Sequence, residues 1–174
     1  MRKMLLFAAL MGVASLSFAQ TKAIANFYDK YKSMEHVTDL KLRGWVLKLA
    51  SRFSDDAQEA QLLRKISQLR ILTMENGNLV TPAEYKNLIK NIKHEAFEEL
   101  FQVRDDGQNI EFLIREKGDT ITDVLMLVSG DDSFIMLSLE GALKFSDLND
   151  LNIEEDGSEH FKKLPDDKKA IPKA

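Results

Sequence analysis

The second half of the chain contains four strand patterns in series, separated by very short connections, and this arrangement limits the folds that the chain can adopt. The patterns cover residues 100–104, 110–116, 121–128 and 134–139. The connections between them are rich in Gly and Asp: Asp105-Asp106-Gly107, Lys117-Gly118-Asp119 and Gly130-Asp131-Asp132. Because connections this short force neighbouring strands to be antiparallel, the second half is predicted to form a β-meander.

Apolar content separates the inner strands of this meander from the outer ones. Residues 124–128 and 134–137 are apolar on both faces. Strands of this kind are covered on both sides, so we expect them in the interior of the sheet. Ile110, Phe112 and Ile114 instead alternate with Glu111 and Arg115, which indicates one solvent-exposed face or a position nearer an edge.

The first half of the chain has the spacing of amphipathic helices. Residues 21–33 place Ile24, Phe27, Tyr28 and Tyr31 on one side. A second helix is predicted after an N-cap at Thr38, with an inner face formed by Leu42, Trp45, Val46, Leu49, Ala50 and Phe53. The aromatic residues of both helices could line a ligand pocket, but aromatic residues at helical spacing are more typical of a core.

Two further helices are predicted around one strand. Ser54, Asp55 and Asp56 place an N-cap and negative charge at the start of a helix whose inner face carries Leu62, Leu63 and Ile66. A strand over residues 69–74 follows and ends at Asn76-Gly77-Asn78. Thr81-Pro82-Ala83-Glu84 is a capping box that opens a helix to about Glu98, with Tyr85, Leu88, Ile89, Ile92 and Ala96 inside.

These patterns predict one α+β domain over residues 20–153. Its N-terminal helices pack on a mainly antiparallel sheet of about five strands that ends in the β-meander. The strand over residues 69–74 joins this sheet at a position that the pattern does not specify. Residues 154–174 are highly charged and contain Pro165 and Pro172, which predicts a disordered tail; it could bind a partner, but a solvated terminus is the simpler interpretation.

The N-terminus has the organisation of a cleavable signal peptide. Arg2 and Lys3 precede the apolar residues 4–13, and a small-residue cleavage sequence ends at Ala19. The apolar run is shorter than the roughly 20 residues that span a bilayer. A buried N-terminal helix is the alternative, but it would need neither the basic start nor the small-residue end. We therefore expect cleavage after Ala19 and a periplasmic or secreted protein.

Composition excludes several further classes. The chain has 24 basic and 28 acidic residues, a formal net charge of −4, so a nucleic-acid partner is not expected. It contains no Cys, which excludes disulfides, a thiol nucleophile and the lipid anchor that a Cys in place of Gln20 would carry. No later apolar stretch is long enough to cross a membrane.

Candidate catalytic and metal-binding residues are few. His94 and Glu98 lie four residues apart on the predicted fourth helix, a spacing that suits metal ligands but is more common for surface ion pairs. His36 falls in a loop and His160 in the tail. The acidic turns lack the alternating oxygen ligands of a calcium loop, and neither a serine-nucleophile elbow nor a phosphate-binding loop is present. We predict no catalytic, cofactor-binding or metal-binding residues, and no cofactor.

Several short segments resemble one known family. They are Leu69-Arg70-Ile71-Leu72, Phe101-Gln102-Val103-Arg104-Asp105, Phe134-Ile135-Met136-Leu137-Ser138-Leu139-Glu140-Gly141 and residues 145–151. With the signal peptide, they are similar to the domain-of-unknown-function 4252 family of exported Bacteroidota proteins, over about residues 21–152. The resemblance implies an exported protein without an assigned activity, and it supplies no catalytic residues. Many members have lipoprotein-type leaders, from which Gln20 departs.

Three functions follow as hypotheses. The first is a non-enzymatic binding or interaction module with a protein partner in the cell envelope, acting through a sheet edge or a groove between helices and sheet. The second is a component of an envelope-stress circuit, because the resemblance implies genes near those of extracytoplasmic sigma factors. The third is a small hydrolase or lyase that uses carboxylates and His94.

Overall fold

The computed structural model describes residues 22–105 and 107–150. The predicted signal peptide and the predicted tail lie outside the described residues. The elements in chain order are α1 (Lys22–Tyr31), β1 (Val37–Arg43), α2 (Gly44–Ala50), α3 (Ala57–Lys65), β2 (Ile66–Met74), α4 (Pro82–His94), β3 (Glu98–Asp105), β4 (Gln108–Lys117), β5 (Thr120–Ser129), β6 (Phe134–Leu143) and a 3₁₀ helix (Phe145–Asp150).

The strands form one antiparallel sheet in the order β1-β2-β6-β5-β4-β3. This arrangement confirms the predicted α+β class and the meander, which runs from β3 to β6 through consecutive neighbours. It also confirms that β5 and β6 are interior strands. Of the two alternatives for β4, the position nearer an edge is confirmed, whereas a solvent-exposed face is wrong because Glu111 is buried. β2 lies between β1 and β6, the position that the sequence left open.

Helices α1 and α4 cover one face of the sheet, which we call the α1–α4 face. The Phe27 ring of α1 lies 5.5 Å from the Phe134 ring of β6, and the Tyr85 ring of α4 lies 6.4 Å from it. Leu72 and Met136 are completely buried beneath these helices. The capping box that opens α4 is formed as predicted, since Thr81 N donates to Glu84 Oε2 at 2.9 Å.

Helices α2 and α3 pack on the opposite face, the α2–α3 face, together with the 3₁₀ helix. Leu47 of α2 and Leu62 of α3 join Phe112, Val124 and other strand residues in a second apolar cluster. The predicted cap of α3 is confirmed, because the Asp56 carboxylate accepts hydrogen bonds from Gln58 N at 2.7 Å and Glu59 N at 3.2 Å. The domain is therefore a sheet with apolar residues on both faces.

The predicted helix from Thr38 is wrong in its first part. Residues Val37–Arg43 form β1, which pairs with β2 at all seven positions, so the sheet has six strands. Leu42 lies opposite Leu69 within the sheet rather than on a helix. The helical spacing that includes Trp45 also fits Leu42, although Leu42 lies in a strand. The stability of that short strand comes from pairing with a distant segment, which local periodicity cannot reveal.

The predicted fourth helix is too long. It ends at His94, and Ala96 adopts a φ of 64°, outside the helical region. Ala96 is exposed and not buried as predicted, whereas Phe97 turns into the core. The prediction ran too far because Ala96 stands four residues after Ile92, the spacing of a continuing helix, although the chain has already left the helix there.

Candidate functional site

Exposed apolar side chains are concentrated in one segment. Among the described residues six large apolar side chains are exposed, and five of them lie between residues 34 and 53: Met34, Leu40, Trp45, Leu49 and Phe53. We call residues 34–53 the β1–α2 edge. Trp45 is 68% exposed and Phe53 80% exposed, so the prediction that these aromatic residues belong to the core is wrong. The same prediction for Tyr28 and Tyr31 is confirmed, because each is 2% exposed.

The orientation of α2 explains why its aromatic side chain faces outward. Leu47 is the residue of α2 that enters the core. Gly44 lies against β2 so closely that a Cβ there would be 2.9 Å from the carbonyl oxygens of Ile66 and Ser67. This contact fixes the start of the helix on the sheet, and Trp45 and Leu49, four residues apart, then lie together on the opposite side.

A short hydrogen-bond chain ties the end of α2 to α3. The buried Ser51 hydroxyl donates to the Lys48 carbonyl oxygen at 2.9 Å and accepts from Arg64 Nε at 3.2 Å. Phe53 follows in the turn after α2, with its amide donating to the Ala50 carbonyl oxygen at 2.9 Å. The exposed apolar side chains thus stand on a fixed backbone rather than on a loop of undefined shape.

β1 forms one border of the sheet. Its only strand neighbour among the described residues is β2, and most of its side chains are exposed. Asp39 lies on the α1–α4 face, where its Oδ2 accepts a hydrogen bond from the Tyr28 hydroxyl at 2.7 Å. Burial first, and then the hydrogen bond and the charge of Asp39, raise the pKa of Tyr28. Tyr28 therefore stays a protonated donor that fixes Asp39 on the strand.

A second polar feature crosses the sheet beneath the α1–α4 face. It consists of Arg70, Glu140, Asp123 and Arg115, which we call the charged row. Glu140 lies opposite Asp123, and Asp123 opposite Arg115, in neighbouring strands. Arg70 of β2 reaches Glu140 from the other side, with Nη1 3.0 Å from Oε1.

The ion pairs of the charged row are largely removed from solvent. Arg70 is 2% exposed and Asp123 is 4% exposed. Arg115 Nη2 lies 2.7 Å from Asp123 Oδ2, which also accepts from the Thr122 hydroxyl at 2.6 Å. Arg70 Nη2 is buried and has no hydrogen-bond partner among the described residues. Two carboxylates placed side by side are each bonded to their own arginine, which is the arrangement that buried charges require.

The predicted histidine candidates do not converge. His94 is the last residue of α4 and Glu98 is the first residue of β3, so they do not share a helix as predicted. His36 is exposed with a φ of 64° just before β1, not in a loop between two helices as predicted. His160 lies outside the described residues. The hydrolase hypothesis therefore loses the helical pair on which it depended.

Acidic and histidine side chains are dispersed over the described part of the chain. Within residues 22–105 and 107–150, no group of three or more His, Cys, Asp and Glu side chains could hold a metal ion. None of the helices described there combines the length and apolar character needed to cross a membrane.

Sequence reasoning missed the charged row and the exposed face of α2. The sequence does contain a signal for the charged row, because Arg70 and Asp123 interrupt apolar strands at positions that face inward. Pairing them required the strand order, since Arg70 and Glu140 are separated by 70 residues. No sequence signal distinguishes Trp45 from a core residue, because its spacing with Leu49 is the same on a buried helix face as on an exposed one.

Comparison with known proteins identifies a family. The family described as Domain of unknown function (DUF4252) matches residues 31–151. This range contains every strand of the sheet, together with helices α2 to α4. No curated protein and no solved structure matches the chain.

Proposed function

We propose that this chain, which belongs to the DUF4252 family, is an exported binding module that holds a protein partner through its β1–α2 edge. The observation that carries the proposal is the concentration of five exposed large apolar side chains between Met34 and Phe53. Scattered exposed apolar residues are ordinary on soluble proteins, whereas a concentration of them on neighbouring elements is typical of an interaction surface.

The β1–α2 edge combines two kinds of contact that proteins use for recognition. β1 offers backbone N–H and C=O groups on its outer side, which can pair with an added strand. Trp45 and Leu49 offer apolar area next to that strand, and Trp is enriched among the residues that contribute most to binding. Backbone pairing supplies affinity, and the side chains of α2 supply selectivity.

Export is supported by the leader sequence. Arg2, Lys3, the apolar residues 4–13 and the small-residue sequence before Gln20 have the organisation of a secretory signal. A chain without Cys suits an oxidising compartment, since it has no thiol to be oxidised or mispaired. The proposed place of action is therefore the cell envelope, where the partner is a protein.

Photo-crosslinking in living cells tests this proposal. The full chain carries the photoreactive residue benzoylphenylalanine at Phe53, where one exposed aromatic group replaces another. A matched variant carries it at Leu79, an exposed residue outside the β1–α2 edge. We expect a discrete protein adduct from position 53 and at most a trace from position 79. Equal adducts at both positions, or none at position 53, would contradict the proposal.

A further inference from the structure

We infer that the partner at the β1–α2 edge is a second copy of this chain, paired antiparallel through β1 about a two-fold axis at Leu40. The inference rests on the proposed function, because it names the partner of the same surface. Two six-stranded sheets then join into one continuous sheet, and the open border of each is closed by the other.

Charge complementarity selects this arrangement. With the axis at Leu40, Asp39 of each copy lies opposite Lys41 of the other, and both side chains lie on the α1–α4 face. Directly opposite residues of antiparallel strands have Cβ atoms roughly 5 Å apart, so opposite charges there are stabilising. In the single chain Lys41 lies beside Arg70, its register partner in β2 and a neighbour of the same charge. Its charge also acts on Asp29 of α1, but that carboxylate is already paired with Lys32.

The neighbouring symmetric registers are unfavourable for the same reason. An axis at Asp39 places two Asp39 carboxylates opposite each other. An axis at Lys41 places two ammonium groups opposite each other. The axis at Lys41 also pairs Asp39 with Arg43, but only at the cost of the two facing ammonium groups. Of the three, only the axis at Leu40 pairs unlike charges without placing like charges opposite each other, and it does so twice because the interface is symmetric.

The apolar residues of the edge fit the same symmetry. Leu40 is 43% exposed, and its register partner Ile71 lies on the α2–α3 face, so the two copies of Leu40 meet on that face. Because a two-fold axis perpendicular to the sheet keeps like faces together, both α2 helices lie on the same side, flanking the Leu40 pair. The antiparallel direction also brings Met34 of one copy towards the start of α2 of the other, where Trp45 is exposed.

The other border of the sheet is less suited to such pairing. β3 has a register irregularity between Glu99 and Phe101, whereas β1 pairs regularly over its full length. A bulge twists an edge strand and interrupts the row of groups that an added strand would need. The Phe101 ring is also stacked at 5.3 Å on Phe112 of β4, which commits it to its own sheet.

Charge exchange across the axis tests the register. Lys41→Glu puts two acidic pairs across the interface, and Asp39→Lys puts two basic pairs there. We expect the unmodified chain to sediment as a dimer and each variant alone to bind itself at least tenfold more weakly. An equimolar mixture of the two variants should recover the dimer, because the two acidic side chains of one variant then meet the two lysines of the other. A monomeric unmodified chain, or a mixture that stays monomeric, would overturn the inference.

A cysteine at the axis provides a readout that does not depend on these charges. The chain has no Cys, so Leu40→Cys introduces a single thiol that meets its own copy. Leu79→Cys is the matched control, since Leu40 and Leu79 are equally exposed at 43%. Under mild oxidation we expect a disulfide-linked dimer from the first variant and a monomer from the second. Equal crosslinking of both, or none of Leu40→Cys, would contradict self-pairing.

Failure of self-pairing is distinguishable from failure of the proposed function. If Leu40→Cys stays monomeric while position 53 crosslinks to a different protein, the β1–α2 edge is a binding surface and the second copy is excluded. If position 53 gives no adduct of any kind, both proposals are wrong.

Discussion

At the scale of single residues, Glu84 links two helices through its carboxylate. It caps α4 with Thr81 and forms an ion pair with Lys30 of α1. The hydrogen bond from Lys30, followed by the bonds from Thr81, lowers the pKa of Glu84 from 4.5 to about 2. The charged form therefore stabilises the fold fully above pH 4.5, and this contribution is lost as the pH falls towards 2.

Glu84→Gln should remove that pH dependence while it preserves the helix cap, because glutamine is also accepted at this capping position. We expect the free energy of unfolding of the unmodified chain to fall more steeply between pH 5 and pH 2 than that of the variant. Urea denaturation across this range measures the difference. Parallel curves for the two proteins would show that the ion pair with Lys30 contributes nothing.

A second prediction at the scale of single residues concerns the charged row. Arg70→Met leaves the buried Glu140 carboxylate without its arginine, next to Asp123, and should destabilise the fold by about 3 kcal/mol. The double variant Arg70→Met/Glu140→Leu removes both charges and should lose less stability than the single variant. Thermal or urea unfolding measures the stability of the two variants. A double variant less stable than Arg70→Met would contradict this prediction.

At the scale of elements, the junction between α3 and β2 depends on a close approach to β6. The helix ends at Lys65 and the strand begins at Ile66, with no connecting residue. A Cβ at Gly141 of β6 would lie 2.6 Å from the Lys65 carbonyl oxygen, a backbone atom that cannot rotate away. Gly141 thus allows the end of α3 to lie directly against β6.

Gly141→Ala should destabilise the chain by about 1 to 3 kcal/mol, because the added methyl group overpacks the junction. Gly130→Ala is the matched control, since the atom nearest to its added Cβ would be the Ser133 hydroxyl oxygen at 3.4 Å, the far end of a side chain that can move. We expect the control to stay within about 0.5 kcal/mol of the unmodified chain in urea denaturation. Equal losses at the two glycines would contradict this account of the junction.

The elements also show what local sequence patterns can and cannot predict. The cap within residues 54–56, the capping box at Thr81 and the turns of the meander were predicted because each signal lies within a few neighbouring residues. β1 was missed because its stability comes from pairing with β2, about 30 residues further along the chain. The exposed side of α2 was missed because helical spacing gives the period of the apolar residues but not whether a partner covers them.

At the scale of the whole molecule, we expect the leader to be cleaved and the chain to be exported. In a Gram-negative host that expresses the full sequence, mass spectrometry of the periplasmic fraction should find a protein that begins at Gln20. Replacing Arg2 and Lys3 by Glu should leave the full-length chain in the cytoplasm, because the basic start of the leader is lost. An unprocessed chain starting at Met1 in the periplasm would contradict the predicted cleavage.

We propose that a second copy of the chain occupies the β1–α2 edge. Amide hydrogen exchange of the purified chain, compared with Lys41→Glu under identical conditions, tests this self-pairing. We expect the amides of Val37–Arg43 to exchange more slowly in the unmodified chain than in the variant, with Glu98–Asp105 of the opposite border unchanged. Equal exchange of β1 in the two proteins, or slower exchange at β3 instead, would contradict the claim.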